Sequence, residues 1–474
     1  MYECPNCGGN LKFDIASQQL KCDYCLTMQD PYEVTKEKDA EESTAFDVTI
    51  FTCPQCGGEI LSTDTSVAEF CSFCGASTIL DSRISKEKRP AYIIPFQQTK
   101  EACKKAYIAK MRHALFAPDE LKDQKYIDSF RGIYIPYWTY TVSQKGTVHI
   151  KGKKSYRSGD YLYTDHYDLS GNVDACYYDL SYDASSSFAD SISERIAPFD
   201  IKGTKRFTPS FLSGFYADTA DVDSSLYQAD AIKLANTTSI NRIMKESAFR
   251  DVTLTDKKND SSLSRSLNTV CETPERTMYP VWFMSYRKGD RVAYATVNGQ
   301  TGKVAADIPI DAKKYILGSV LLALPIFLFL NLFFTFKPSL TLVLSFFLAL
   351  ATLVIHMLEI KDIYHRDLQT DDRGYQFQLS SGESASKNQK KGSAHITLKK
   401  FFEYSNGFIG SLAAIVIATL IILLNPIADL WYYGGSIAAL AGILFNVIII
   451  IQKYNVLATR KLPQFDRTGG DDRA

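Results

Sequence analysis

The chain has 474 residues, enough for three or four structural units, and its formal net charge is zero. Whole-chain charge therefore favours neither nucleic acid nor an acidic surface as a partner. The composition is split: up to Tyr315 the chain is polar and Tyr-rich, and beyond it long apolar runs appear.

Met1 is followed at once by polar residues and a cysteine pair, without the basic and apolar stretches of a secretory signal, so the N-terminus is expected in the cytoplasm. Eight of the 11 cysteines form four C-x2-C pairs: Cys4/Cys7, Cys22/Cys25, Cys53/Cys56 and Cys71/Cys74. Each cysteine of the first four recurs 49 positions later, which makes the C-x2-C-x14-C-x2-C module an internal duplication. In a reducing compartment such pairs are metal ligands rather than disulfides. Two thiolates three positions apart face one ion from a tight turn, helped by a glycine just after, as at Gly8, Gly57 and Gly75; Leu26 departs from that pattern. Four sulfurs close a tetrahedral sphere, so the expectation is two structural Zn2+ ions and no catalytic residues. The three remaining cysteines, Cys103, Cys176 and Cys271, are expected to be small buried apolar groups.

Charge then separates the uses of a zinc ribbon. From Met1 to Arg89 there are eight Lys or Arg and 15 Asp or Glu, a net of −7, and two Zn(Cys)4 centres take it to −11. Phosphate backbones require the opposite sign, which disfavours nucleic acid and favours protein docking. The expected units are ribbon 1 over 1–30, a charged linker over 31–50 and ribbon 2 over 51–82.

Residues 90–311 form the expected cytoplasmic α+β domain. "GIYIPYWTYTV" (132–142) and "GTVHI" (146–150) are strand-like, and the run after Thr99 has an N-cap and helical apolar spacing. The order strand, helix, P-x-W strand, hairpin occurs twice: from "YIIPF" through the Thr99 helix to Pro136-Tyr137-Trp138, and from "FLSGFYA" through a helix near Ser224 to Pro280-Val281-Trp282. A duplicated domain is one reading of this order. Asn298-Gly299 and Gly302 mark a hairpin turn. "GKKS" (152–155) and "NGQTGK" (298–303) lack the context of a phosphate loop, and G-x-S-x-G and H-E-x-x-H do not occur.

Four apolar runs, 315–336, 338–358, 408–427 and 431–452, have the length of membrane spans. Lys313, Lys314, Lys453, Arg460 and Lys461 flank them on one side, whereas the opposite loops carry Lys337 and Asp429. The positive-inside pattern places both termini in the cytoplasm of a multi-pass protein of the cell membrane. His356, Glu359 and His365 sit where the second span is expected to leave the bilayer. The loop 359–407 is expected to be largely disordered, and 453–474 a cytoplasmic tail.

Tandem "CPxCGG" ribbons, P-x-W strands, the "NGQTGK" hairpin and a multi-span tail resemble bacterial multi-pass zinc-ribbon membrane proteins with ribbons of the transcription-factor-IIB type. Relatives of that group are labelled replication-restart-helicase-like, or are encoded beside SPFH scaffold and phage-shock-type proteins. The resemblance implies a docking role toward a cytoplasmic partner such as an SPFH-type scaffold. Helicase activity does not carry over, because no nucleotide-binding loop is present. The expected fold is multi-domain α+β: tandem ribbons, a β-rich middle domain and four transmembrane helices. A transporter or channel regulated by its ribbons is the alternative function, and a nucleic-acid-binding protein the lesser one.

Overall fold

A computed structural model describes residues 2–35, 45–62, 71–76, 80–246, 252–255, 260–334, 337–382 and 408–463. The first cysteine module forms a three-stranded sheet of β1 (Leu11–Asp14), β2 (Gln19–Cys22) and β3 (Met28–Gln29), followed by the short α1 (Pro31–Thr35). The second contributes β4 (Ala45–Thr52), β5 (Glu59–Ser62) and β6 (Asp81–Lys88), which belong to a 14-stranded sheet with the middle region. β4 thus begins inside the stretch expected as linker.

The middle region follows as β7 (Tyr92–Ile93), α2 (Lys100–Arg112), α3 (Gln124–Ile127), β8 (Arg131–Ser158), β9 (Tyr161–Asp183), α4 (Asp190–Ile196), β10 (Lys205–Arg206), β11 (Tyr216–Asp218) and α5 (Ser225–Ile243). It ends with β12 (Thr253–Leu254), α6 (Asp260–Ser266), β13 (Val270–Cys271), β14 (Glu275–Lys288), β15 (Arg291–Asn298) and β16 (Val304–Ala306). The two stretches expected as separate strands are one continuous β8. Its middle is held by Gln144, which is buried and donates to Asn236 Oδ1 at 2.7 Å.

The repeated order appears in the topology. β8 and β14, the two P-x-W strands, lie side by side and antiparallel, with Pro136 opposite Met278 and Pro280 opposite Tyr134. Each also pairs, in parallel, with the opening strand of the other half: β7 with β14, and β11 with β8. Trp138 Nε1 donates to Val222 O, just before α5, and Trp282 Nε1 donates to Gln98 O, just before α2, both at 2.8 Å. The indole thus ties strand to helix start in the same way twice. Thr99 caps α2 by accepting from Ala102 N at 3.2 Å, a contact of about 1 kcal/mol.

Side-chain alternation loads both faces of this sheet. Tyr134, Met278, Trp282 and Met284 face one core with Phe96, Phe215 and α2, while Ile133, Ile135, Tyr279, Val281 and Phe283 face the other with α4. The "NGQTGK" segment is a turn: Asn298 Oδ1 accepts from Gln300 N and Thr301 N at 2.9 Å, and Gly302 is left-handed at φ 76°.

The apolar runs form α7 (Ala312–Phe333), α8 (Pro338–Asp367), α10 (Phe408–Leu424) and α11 (Asp429–Leu457), with α9 (Arg373–Gly382) between α8 and α10. Among the described residues three helices, not four, are long and apolar enough to cross a membrane: Ala312–Leu330, Pro338–Ile360 and Asp429–Leu457. The described part of α10 has 17 residues, and it ends at Leu424 because Asn425 turns left-handed at φ 41° and Pro426, lacking an N–H, follows it. It nevertheless runs alongside α8 and α11. Gly410 and Gly442 are in backbone contact, Asn446 Nδ2 donates to Ser411 Oγ at 2.6 Å, and Tyr432 Oη donates to Asn425 Oδ1 at 2.7 Å.

The expectation of a largely disordered 359–407 is corrected for residues 359–382. α8 continues to Asp367 and α9 follows, because these polar residues have partners: Arg366 pairs locally with Asp371 at 3.0 Å, and two pairs reach the domain, Arg291 with Asp367 at 3.1 Å and Arg373 with Asp230. Residues 383–407 lie outside the described ones. The expected tail also begins with a docked element, since β17 (Arg460–Lys461) pairs with β15. The start of α7 and the ends of α8 and α11 all meet the domain, through Asp311 N to Phe116 O (2.8 Å), Arg291 to Asp367, and Asn455 Nδ2 to Ile310 O (2.8 Å).

Candidate metal centres

Each C-x2-C knuckle is built by the same two backbone bonds. Gly8 N donates to Cys4 O and Cys4 N to Gly9 O; Leu26, Gly57 and Gly75 N repeat the first bond, and Cys22, Cys53 and Cys71 N the second, all at 2.7–3.0 Å. The first bond requires a left-handed residue after the second cysteine. Gly8, Gly57 and Gly75 have φ of 71°, 74° and 69°, and Leu26 adopts 62°. Leu26 therefore departs in residue type and not in geometry, and bears a strain of about 1–2 kcal/mol that glycine would not.

The knuckles bring all eight predicted cysteines together in two groups, Cys4/Cys7/Cys22/Cys25 and Cys53/Cys56/Cys71/Cys74, each with its sulfurs within 4.8 Å of one another. Sγ separations are 3.5 Å for Cys4–Cys25 and Cys7–Cys22, 3.3 Å for Cys7–Cys25, and 3.7 Å for Cys53–Cys74 and Cys56–Cys71. A tetrahedron with zinc–sulfur bonds of about 2.3 Å has edges of about 3.8 Å. These five separations lie within about 0.5 Å of that edge and far outside disulfide bonding distance.

The two centres differ in their surroundings. In the first, Cys4 and Cys22 are buried but Cys7 and Cys25 are exposed. Thr27 Oγ1, 3.1 Å from Cys25 Sγ, is the main cause holding the Cys25 thiol down at about 6. Around it Tyr24, Leu26 and Met28 are 81%, 62% and 49% exposed, an apolar patch on the outer side of the knuckle. In the second centre all four sulfurs are buried, in a core with Phe51, Ile60, Phe73 and Leu80. β5 is sealed by β11, with Tyr216 opposite Ser62, and Tyr294 Oη donates to Phe73 O at 2.7 Å. As thiols these four could not ionise together: contact with Cys53 pushes Cys71 well above the ordinary range, while Cys56 holds Cys53 well below it. A divalent cation relieves that conflict, because all four can then be thiolates.

The first module also docks on the domain. Phe13 N donates to Ser213 O at 3.0 Å, Ser213 Oγ to Leu11 O at 2.5 Å, and Gln18 Nε2 to Phe96 O at 2.7 Å, with Phe13 edge-on to Phe211.

The expectation for the single cysteines holds for Cys103, which is buried on α2. It fails for Cys176, which is exposed, and Cys271, which is half-buried. Cys176 sits on β9, where alternation turns it outward and its neighbour Tyr177 inward. His356 is fully buried, its ring edge-on to Phe408 at 4.9 Å. His365 stays at the surface beside Thr370. The exposed patch at Tyr24, Leu26 and Met28 was missed; its signal was three large apolar residues in and beside a metal turn, where side chains point outward.

The chain is 26% identical over 318 residues, 66% of its length, to the uncharacterized protein YdjG of Bacillus subtilis (strain 168), of which the match covers 91%. No family model and no solved structure matches it.

Proposed function

We propose that this is a four-span protein of the cell membrane that holds two structural zinc ions and uses its first ribbon to dock a cytoplasmic protein. The observation that carries this reading is the apolar patch of Tyr24, Leu26 and Met28 beside a solvent-facing Cys4 centre. Hydrophobic side chains held outward by a rigid metal turn are preorganised for contact, which lowers the ordering cost of binding. The acidic balance of the ribbons favours a basic protein surface over phosphate. An SPFH-type scaffold is the partner class that the family resemblance points to.

Topology rests on charge and packing. Lys313, Lys314, Arg366, Lys453 and Lys461 lie at the helix ends that meet the domain, so the domain side is the cytoplasmic side. α10 crosses as the fourth span: its 17 residues reach about 25 Å, within tolerance of a bilayer core, and Gly410, Ser411 and Ala414 pack on α8 and α11.

The experiment is affinity capture with full-length protein carrying Tyr24→Asp and Leu26→Asp. Loss of the partner with zinc content unchanged supports docking at the patch. Full retention would end this reading. The transporter alternative draws on one observation: Thr352, His356, Ser411 and Asn446 form a buried polar seam between α8, α10 and α11. Ion flux in proteoliposomes that disappears in His356→Ala would favour it.

A further inference from the structure

A cavity of about 320 Å³ lies between the end of β9, α4, α5 and the start of α9, away from both cysteine centres. Asp183, Asp190, Glu194 and Asp230 line it, against two cations, Lys233 and Arg373. Asp190 accepts from Tyr227 Oη at 2.7 Å and from Arg373 N at 2.8 Å, and Asp230 pairs with Arg373. Asp183 is different. It is 2% exposed, and its Oδ1 has no hydrogen-bond partner among the described residues. The Ser193 hydroxyl bonds the Asp183 carboxyl, and its enclosed Oδ1 leaves that group one donor short at the cavity wall.

The shape of the cavity narrows the chemistry. Among the described residues only the two cysteine groups bring three or more metal-ligating atoms within 4.8 Å of one another, so these carboxyls do not converge as a compact metal ion requires. They surround an apolar wall instead: the Tyr182 and Tyr227 rings stack at 5.1 Å, and Leu234 sits at the rim. Separated negative charges along an aromatic and aliphatic wall match a ligand with separated positive charges on an apolar stem.

We propose that this cavity binds an aliphatic diamine or polyamine, with one ammonium taken by Asp183 and Glu194, another by Asp190 and Asp230, and the methylene chain along Tyr182 and Tyr227. With Asp183 ionised by the ligand, the lining carries a formal excess of two negative charges, which sets the preference for a ligand of at least two positive charges. The site is independent of what the ribbons dock.

Burial, with Asp190 and Asp372 adding to it, holds Asp183 well above the ordinary carboxyl range, so the empty cavity favours its protonated form. An ammonium placed against it favours the ionised form, so binding is coupled to proton loss and tightens as pH rises. The groups that face or surround Asp183 are Tyr137 on β8, Tyr182 on β9, Asp190 and Glu194 on α4, Tyr227, Asp230 and Lys233 on α5, and Asp372 and Arg373 at the start of α9.

Calorimetric titration of spermidine into the zinc-loaded full chain, in two buffers of different ionisation enthalpy, tests the assignment. The expected result is saturable binding with proton release. Asp183→Asn should weaken it at least tenfold and remove the proton release, and Asp230→Asn should weaken it at least tenfold with proton release retained. Asp230 lies on the partly exposed face of α5, so its variant keeps the test open if Asp183→Asn does not fold. Absence of saturable heat, wild-type binding by a folded Asp230→Asn protein, or displacement of spermidine by equimolar Mg2+ would overturn the proposal.

Discussion

The two cysteine centres are copies of one motif with the same spacing and the same knuckle hydrogen bonds, yet they occupy opposite environments. The second is enclosed: its four sulfurs are buried, and its strands β4 to β6 are part of the large sheet. The first has a sheet of its own, two exposed cysteines and an apolar patch turned to solvent. Ligand geometry fixes how a Cys4 turn folds; the chain packed around it decides whether that turn supports a core or presents a surface.

The sharpest way to break this comparison is to remove each metal in turn. Cys53→Ser with Cys56→Ser should lower metal content by one ion per chain and unfold the sheet broadly. The lost ligation is worth on the order of 10 kcal/mol, comparable with the whole stability of a domain. Cys4→Ser with Cys7→Ser should also lose one ion, but release only the β1–β3 sheet. Elemental analysis with hydrogen exchange reads both. Equal loss of protection in the two variants would show that the first ribbon is as integral as the second.

Exposure also predicts kinetics. A chelator reaches Cys7 and Cys25 directly, whereas reaching Cys53 or Cys71 requires local opening of the sheet. Metal release to a chromophoric chelator should therefore show two phases of equal amplitude, with the fast one absent from the Cys4/Cys7 variant. A single phase would mean that the burial difference does not govern access.

The grouping of the eight cysteines was legible in the sequence, because spacing and duplication are local properties. So were the Thr99 cap, the P-x-W strands and the 298–303 turn. The difference between the centres was not, because it depends on β11 pairing with β5 and on Tyr294 reaching Phe73, contacts between residues more than 150 positions apart. The same cause explains residues 359–382. Arg373 and Asp367 look solvated in the sequence, and only the fold reveals that Asp230 and Arg291 meet them. The fourth apolar run is shorter as a helix than its hydropathy implied, because hydropathy does not register that Asn425-Pro426 stops the helix.

A milder test isolates one contact of the enclosed centre. Tyr294→Phe removes the hydroxyl that donates to Phe73 O and keeps the ring packed on Phe283. The loss should be about 1 kcal/mol. A competition titration should show the metal affinity of the second centre falling about fivefold and that of the first unchanged. A change in both would mean that the two centres are coupled through the sheet.

The smallest effect, and the most discriminating, belongs to Leu26. It holds a left-handed φ of 62° where the other three knuckles place glycine, and its side chain is 62% exposed. In a purely structural turn nothing favours leucine there: it bears about 1–2 kcal/mol of backbone strain and buries little apolar surface in return. If the side chain is kept for contact with a partner, stability and docking should move in opposite directions. Leu26→Gly should raise the stability of the first ribbon by about 1 kcal/mol, seen as slower metal release, while weakening capture of the cytoplasmic protein. Leu26→Asn, which tolerates the left-handed conformation, should give a smaller stability gain and the same loss of capture. Gains in stability with capture undiminished would separate the strained leucine from the docking surface and leave Tyr24 and Met28 to carry it.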